Sequence, residues 1–365
     1  MFTYLKRIGD RMFDRAANDT SVPVFDGALK PNHLLDTAEV FFEHPDVADM
    51  VVDHEGHIVV ACGNQMFRLQ SGSEGVSSHV IAQWPKPIQA LSRFGDGLVG
   101  AMDDRLVFIN GKYDGLEVSS LAGQPVHCTT ALSEGPDGVL FITEGSRRTP
   151  YEQWATDLLG LGKTGRFLSF DPATGQSHVH AEKLAYGYGV SSDGSRALVS
   201  ESWAHRVSVW QNGKLKPGVS QLPGYPSRIS NAPDGGFWLT IFAPRSQLLE
   251  FVLCETEFRA EMMQTIDPKY WIAPTLSSGN DFLEPLQQGG VRQMGVLKPW
   301  APARSYGLVL KLSPELVPLY SFHSRVGGLN HGIVSALEFN GSLLALSKGA
   351  GRILRVSLAE HQLQD

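Results

Sequence analysis

Six turn signals recur along the chain at nearly constant spacing: Glu55-Gly56, Asp96-Gly97, Asp137-Gly138, Asp193-Gly194, Asp234-Gly235 and Asn340-Gly341. Their glycines stand 41, 41, 56, 41 and 106 residues apart. An acid-Gly or Asn-Gly pair between apolar runs is a strong hairpin signal, because glycine accepts positive φ without a Cβ clash. A step of about 41 residues is the length of one four-stranded propeller blade. The two long steps exceed that length by 15 and 65 residues, and both excesses fall on segments without strand character. The spacing predicts an all-β fold, a six-bladed β-propeller with two helical or loop insertions placed to form a lid.

The domain reading follows from this. Residues 1–37 form an N-terminal helix and lead-in, and residues 38–365 form a single propeller with insertions at about 147–163 and 246–305. A strand from residues 38–43 is expected to complete the last blade. The first insertion carries Tyr151 and Trp154; the second opens with a helical period, QLLEFVLCETEFRAEMMQ, and later holds Tyr270, Trp271 and Trp300. Long excursions from a rigid scaffold are usually lids or binding loops. These aromatics either roof a tunnel or form the insertions' own small cores. At the N-terminus, Phe2, Leu5, Met12 and Phe13 share one helical face, which packs on the propeller flank or lies on a membrane surface.

Composition narrows the partners. The chain has 31 basic and 38 acidic residues, a net charge of −7, with no basic block, which argues against nucleic acid. No apolar run approaches the 18 or so residues of a membrane span. The cysteines Cys62, Cys128 and Cys254 are widely spaced, which fits reduced thiols in a cytoplasmic protein rather than a disulfide framework. Oligomeric state is not legible.

Several segments carry a resemblance. Residues 221–245, QLPGYPSRISNAPDGGFWLTIFAPR, resemble the strictosidine synthase-like family in the Leu-Pro-Gly-Tyr-Pro run before a turn. Residues 184–207, 306–315 and 334–356 are similar to its fourth blade, its post-insertion strand and its last blade. The likeness spans roughly residues 45–357 and implies membership of the wider propeller superfamily of gluconolactonase, regucalcin and paraoxonase. Hydrolases there hold one catalytic calcium in the central tunnel, where a hard cation on oxygen ligands polarises a carbonyl and activates water. Aligned on the turns, the ligand positions fall on Ala48 (with Asp49 beside it), Thr129-Thr130, Tyr188 and Ser227-Arg228. These are poor ligands, and a guanidinium repels a cation. No cofactor is therefore expected, calcium included, and no metal ligands are assigned. The condensing Glu of strictosidine synthase falls on Val334, so that chemistry is not implied either.

By the same resemblance, residues opening the inner strands and closing the second strands face the tunnel mouth. Catalytic candidates are Glu201, His205 and His331; substrate-binding candidates are Asp49, Thr129, Tyr188, Ser227, Arg228 and Arg245. Glu201 and His205 either pair as base and orienter or Glu201 ties down its blade turn. His331, in a glycine-flanked loop, is either an acid–base group or a solvated or structural residue. Arg228 either grips a carboxylate or phosphate or forms an internal salt bridge with Asp49 or Glu144. Tyr188 either donates to a substrate or plugs the tunnel. Cys128 beside His127 reads as a buried, inert thiol. Two functions remain: an enzyme acting on a small organic molecule, such as a lactone or ester hydrolase working without calcium, or a non-catalytic propeller binding a small anionic ligand or a protein.

Overall fold

The computed structural model describes residues 22–72, 75–279, 281, 283–285, 292–293, 296–297 and 303–359. The amphipathic segment 2–15 and Trp300 lie outside the described residues. Six four-stranded antiparallel sheets are arranged around an axis, one for each turn signal. Their inner strands are Val47–Val52, Ala90–Phe94, Thr129–Glu134, Gly187–Ser192, Gly224–Asn231 and Ile333–Phe339. Each inner strand has a ladder partner on one side only, so its other edge of N–H and C=O groups looks into the central channel.

The turns behave as the spacing requires, with one shift. Gly56, Gly138, Gly194, Gly235 and Gly341 all adopt positive φ between the inner and second strands. In blade two, Phe94 pairs with Gly97, so Gly95 and Asp96 make the turn and Gly95 carries the positive φ of 58°. The Asp-Gly pair marked the right hairpin one residue late.

The ring closes as expected. Strand Glu39–Glu43 pairs with Arg352–Ser357 and becomes the outer strand of blade six, so the joint combines early and late chain. Residues 22–37 lie along the edge of blade five: Asn32 Nδ2 donates to Ser321 O at 2.8 Å, and buried Leu35 packs with Phe322 and Leu354. Each pair of neighbouring blades encloses its own apolar cluster. Val59, Met66 and Leu98 pack between blades one and two, and Leu198, Phe237 and Leu310 between four and five. Strands buried on both faces are apolar without strict alternation, as in Leu140–Glu144, where every residue is buried.

The first insertion forms a short 3₁₀ turn, Tyr151–Gln153, followed by helix α1, Trp154–Leu159. The second opens with α2, Gln247–Cys254, capped by Ser246 Oγ accepting from Leu249 N, and α3, Thr256–Thr265. No helix among the described residues is long and apolar enough to cross a membrane.

Candidate functional site

The sequence places one guanidinium on the channel axis. Arg228 rises from the inner strand of blade five and is 7% exposed. Its Nε donates to Thr130 O at 3.1 Å, Nη1 to Ala48 O at 3.1 Å and Nη2 to Gln89 O at 2.6 Å. These carbonyls belong to the channel-facing chain of blades three, one and two. Asp49 Oδ2 lies 3.4 Å from Nε, and the ring of Tyr188, from blade four, lies 5.7 Å from the guanidinium carbon. Asp49 also accepts from Met50 N at 2.9 Å and Leu91 N at 2.8 Å, and bonds Ser335 of blade six. One ion pair thus touches all six blades.

Burial pushes the Asp49 carboxyl up from the usual carboxylate range, against the opposing pull of Arg228 and the two main-chain N–H groups. For Arg228, burial disfavours the charge, but Asp49 outweighs it and the guanidinium is held above its ordinary value. Arg228 accordingly forms the internal salt bridge with Asp49. Glu144 belongs elsewhere: its carboxylate takes Arg166 at 2.7 Å and Arg147 at 3.2 Å.

The positions that carry calcium ligands in the resembling hydrolases do converge, but on Arg228. Thr130 Oγ1 is committed to Gly187 O at 2.7 Å, and Ser227 Oγ to Thr240 Oγ1 at 2.8 Å and Ile333 O at 3.1 Å. Among the described residues Asp49 is the one carboxylate there, and it is paired with Arg228. A calcium ion takes six to eight oxygen ligands, several of them anionic. This donor set, with a guanidinium at its centre, does not fit calcium.

Beyond Arg228, at the end where the inner strands begin, the channel is filled. Tyr188 Oη meets Tyr151 Oη of the first insertion at 3.2 Å, and burial keeps the Tyr188 phenol well above its ordinary value. Trp154 packs edge-on to Phe242 at 5.3 Å and near Trp203 at 6.2 Å. Asp157 fixes the insertion by accepting from Trp203 Nε1 at 2.8 Å. Leu249, Val252, Met262 and Trp271 of the second insertion join the same apolar cluster. Tyr151 and Trp154 of the first insertion and Trp271 of the second pack at this mouth, and Tyr188 plugs it. Gly189 makes the close strand packing possible: a Cβ there would lie 2.5 Å from Ser227 O and 2.8 Å from Arg228 Cα.

The remaining candidates are structural in their contacts. Glu201 and His205 do not pair with each other. Glu201 holds Arg206 at 2.7 Å and Ser208 Oγ at 2.8 Å, the same arrangement that Glu144 makes with Arg166 one blade earlier. An acid closing a second strand is cross-linked to an Arg opening the third, so Glu201 ties its blade together. His205 turns away, with Nδ1 3.3 Å from Gly224 O and Nε2 3.6 Å from Glu250. Burial first, then Arg245, lowers its imidazole to about 3. Arg245 is taken by Glu250 at 2.9 Å.

His331 is a buried structural residue, with Ser305 Oγ at 2.7 Å from Nδ1 and Arg325 O at 3.0 Å from Nε2. Both ring nitrogens are occupied, because the loop lies under Tyr306, which stacks on the imidazole. Thr129 is fully buried, and its hydroxyl has no partner among the described residues. Cys128 is buried against Tyr186, and burial pushes its thiol up to about 12.

Sequence reasoning missed the other end of the channel. On the hairpin-turn side of Arg228 a cavity of about 450 Å³ is lined by the downstream halves of all six inner strands. Its signal is a serine in most of those strands: Ser92, Ser133, Ser191, Ser230 and Ser335.

The fold is a six-bladed β-propeller, an architecture shared with solved gluconolactonase and regucalcin structures. A gluconolactonase from Xanthomonas campestris superposes with a TM-score of 0.54 at 11% identity, over 93% of this chain and 96% of that one. Regucalcin from Agrobacterium tumefaciens, a calcium-binding protein, gives 0.52 at 10% identity, over 88% and 93%. By sequence the chain is similar to strictosidine synthase-like proteins: the strictosidine synthase family matches residues 132–214, from blade three to blade four. Protein STRICTOSIDINE SYNTHASE-LIKE 10 of Arabidopsis thaliana is 30% identical over 149 residues, 39% of this chain and 40% of that protein. The chain thus spans about two fifths of that relative's length. Human adipocyte plasma membrane-associated protein is 23% identical over 71% of this chain and 72% of its own.

Proposed function

We propose that this protein is a small-molecule-binding propeller whose channel works without a metal, the Arg228 guanidinium standing where calcium-dependent relatives hold their cation. The observation that carries this reading is the set of three carbonyls and one carboxylate gathered on Arg228. The ligand enters from the hairpin face, since the opposite mouth is packed with the insertions' aromatic side chains. The test is a thermal melt of chelator-stripped protein with and without millimolar calcium. The expected result is an unchanged midpoint. A ligand at 100 times its dissociation constant stabilises by about 2.7 kcal/mol, so a rise of a few degrees would overturn the reading.

A second reading, an enzyme acting at the plugged mouth on a small organic molecule such as a lactone or ester, is favoured by one observation. Thr129 and Tyr225 each bury a hydroxyl that has no partner among the described residues, and Tyr225 packs 5.9 Å from Phe242 in the plug. Lifting the first insertion would present them to a substrate. Asp157→Ala, which frees Trp203 Nε1 from that insertion, should then raise turnover of aryl esters or lactones. No turnover by either protein would remove this reading.

A further inference from the structure

The half of the channel on the hairpin side of Arg228 is a chamber of about 450 Å³, open to solvent. Small-ligand pockets run from roughly 300 to 1,000 Å³. Its floor is the Asp49–Arg228 pair, and its walls are the unpartnered edges of six inner strands, which alternate N–H donors and C=O acceptors. Several wall hydroxyls spend their protons inside the protein. Ser92 Oγ donates to Arg93 O at 2.8 Å, Ser230 Oγ to Ala336 O at 2.6 Å and Ser191 Oγ to Asn231 Oδ1 at 2.9 Å. Their oxygens keep lone pairs that can accept from a ligand.

The charges around the chamber are spoken for. Arg228 faces Asp49 at 3.4 Å, Arg93 faces Glu134 at 3.8 Å, and Glu338 accepts from Trp238 Nε1 at 3.2 Å. The lining sets three carboxylates, Asp49, Glu134 and Glu338, against two guanidiniums, Arg93 and Arg228, so its balance of charge does not favour an anion. A carboxylate ligand would meet acceptors and three acids, and an apolar ligand would strand the strand edges without hydrogen bonds. A hydroxyl group donates and accepts at once, so a molecule carrying several of them matches this wall at every point.

We propose that the hairpin-side chamber is a binding site for a neutral polyol, a sugar alcohol or small carbohydrate, seated on the Asp49–Arg228 pair. The proposal rests on the metal-free binding reading above and names its ligand class. The test is calorimetric titration of the full chain with D-glucitol, myo-inositol and sodium gluconate. It is repeated on Ser133→Trp, which places an indole in the chamber, and on Ser191→Val, which removes one hydroxyl with little change of volume. The expected result is saturable binding of a neutral polyol, weakened at least tenfold by Ser133→Trp and severalfold by Ser191→Val. If Ser133→Trp fails to fold, Ser191→Val carries the comparison. Gluconate binding more tightly than both neutral compounds, and weakening in the variants, would overturn the polyol assignment while leaving a chamber ligand in place. No saturable binding of any of the three, or binding that neither substitution alters, would overturn the site itself.

Discussion

Arg228 and Asp49 meet at 3.4 Å on the channel axis, and between them they touch every blade of the ring. A buried ion pair is weak as a source of net stability, but breaking it leaves an unpaired buried charge, at a cost of about 3–5 kcal/mol. Arg228→Met should therefore destabilise the protein by about that amount in urea titration. Asp49→Asn combined with Arg228→Met should cost less than the sum of the single changes. Additive costs would mean the pair is not coupled.

Gly189 is required by distance rather than by dihedral angle. Its missing Cβ leaves room for Ser227 O and Arg228 Cα of the neighbouring blade. Gly189→Ala should lower stability by about 1–3 kcal/mol through overpacking. A variant as stable as the parent would show that blades four and five can separate without loss.

Acid should weaken the fold well above the carboxylate range. Burial lowers His323 to about 4 and His205 to about 3. His323 is fully buried between Tyr306 Oη at 3.0 Å and Ser321 Oγ at 2.8 Å. Below about pH 6.5 the unfolded chain protonates both imidazoles and the native chain does not, so stability falls as pH drops from there toward 4. Each group contributes up to about 1.4 kcal/mol per pH unit. Urea midpoints at pH 7, 6 and 5 should decline in order, and His323→Gln should flatten the decline.

Thiol labelling should sort the cysteines by depth. Cys254 is exposed on the second insertion, whereas burial pushes both Cys62 and Cys128 up to about 12. A thiolate-specific reagent at pH 8 should modify one site in the native protein and three after unfolding. Rapid native labelling of Cys128 would point to an opening of the plug.

Local chemistry was readable where one residue decides the geometry. The turn glycines marked the blades because positive φ is a property of the residue itself, whereas Arg228 could be read as gripping an anion or pairing with Asp49 or Glu144 until the closed ring set it beside Asp49. The expected Glu201–His205 pair failed for a different reason. Their separation on one loop says nothing about direction, and His205 sits in the left-handed region at φ 50°, which turns its ring toward Gly224. For His331, in its glycine-flanked loop, an acid–base, a solvated and a structural role were all open, and the ring of Tyr306 from the neighbouring blade, stacked on the imidazole, makes it structural. The hairpin-side chamber was hidden for the same cause: its serines are scattered over five blades and become one surface only when the ring closes.

That closure makes a demand on synthesis. Glu39 and Arg355, partners in the last blade, are 316 residues apart in sequence. While the chain emerges from the ribosome, the strand Glu39–Glu43 has nothing to pair with until the strand Arg352–Ser357 has been made. Contacts so distant in sequence form slowly, and an unpaired strand edge invites pairing with other chains in the meantime. The nascent protein is an open arc with a waiting edge, and its most hazardous moment precedes the arrival of its final blade.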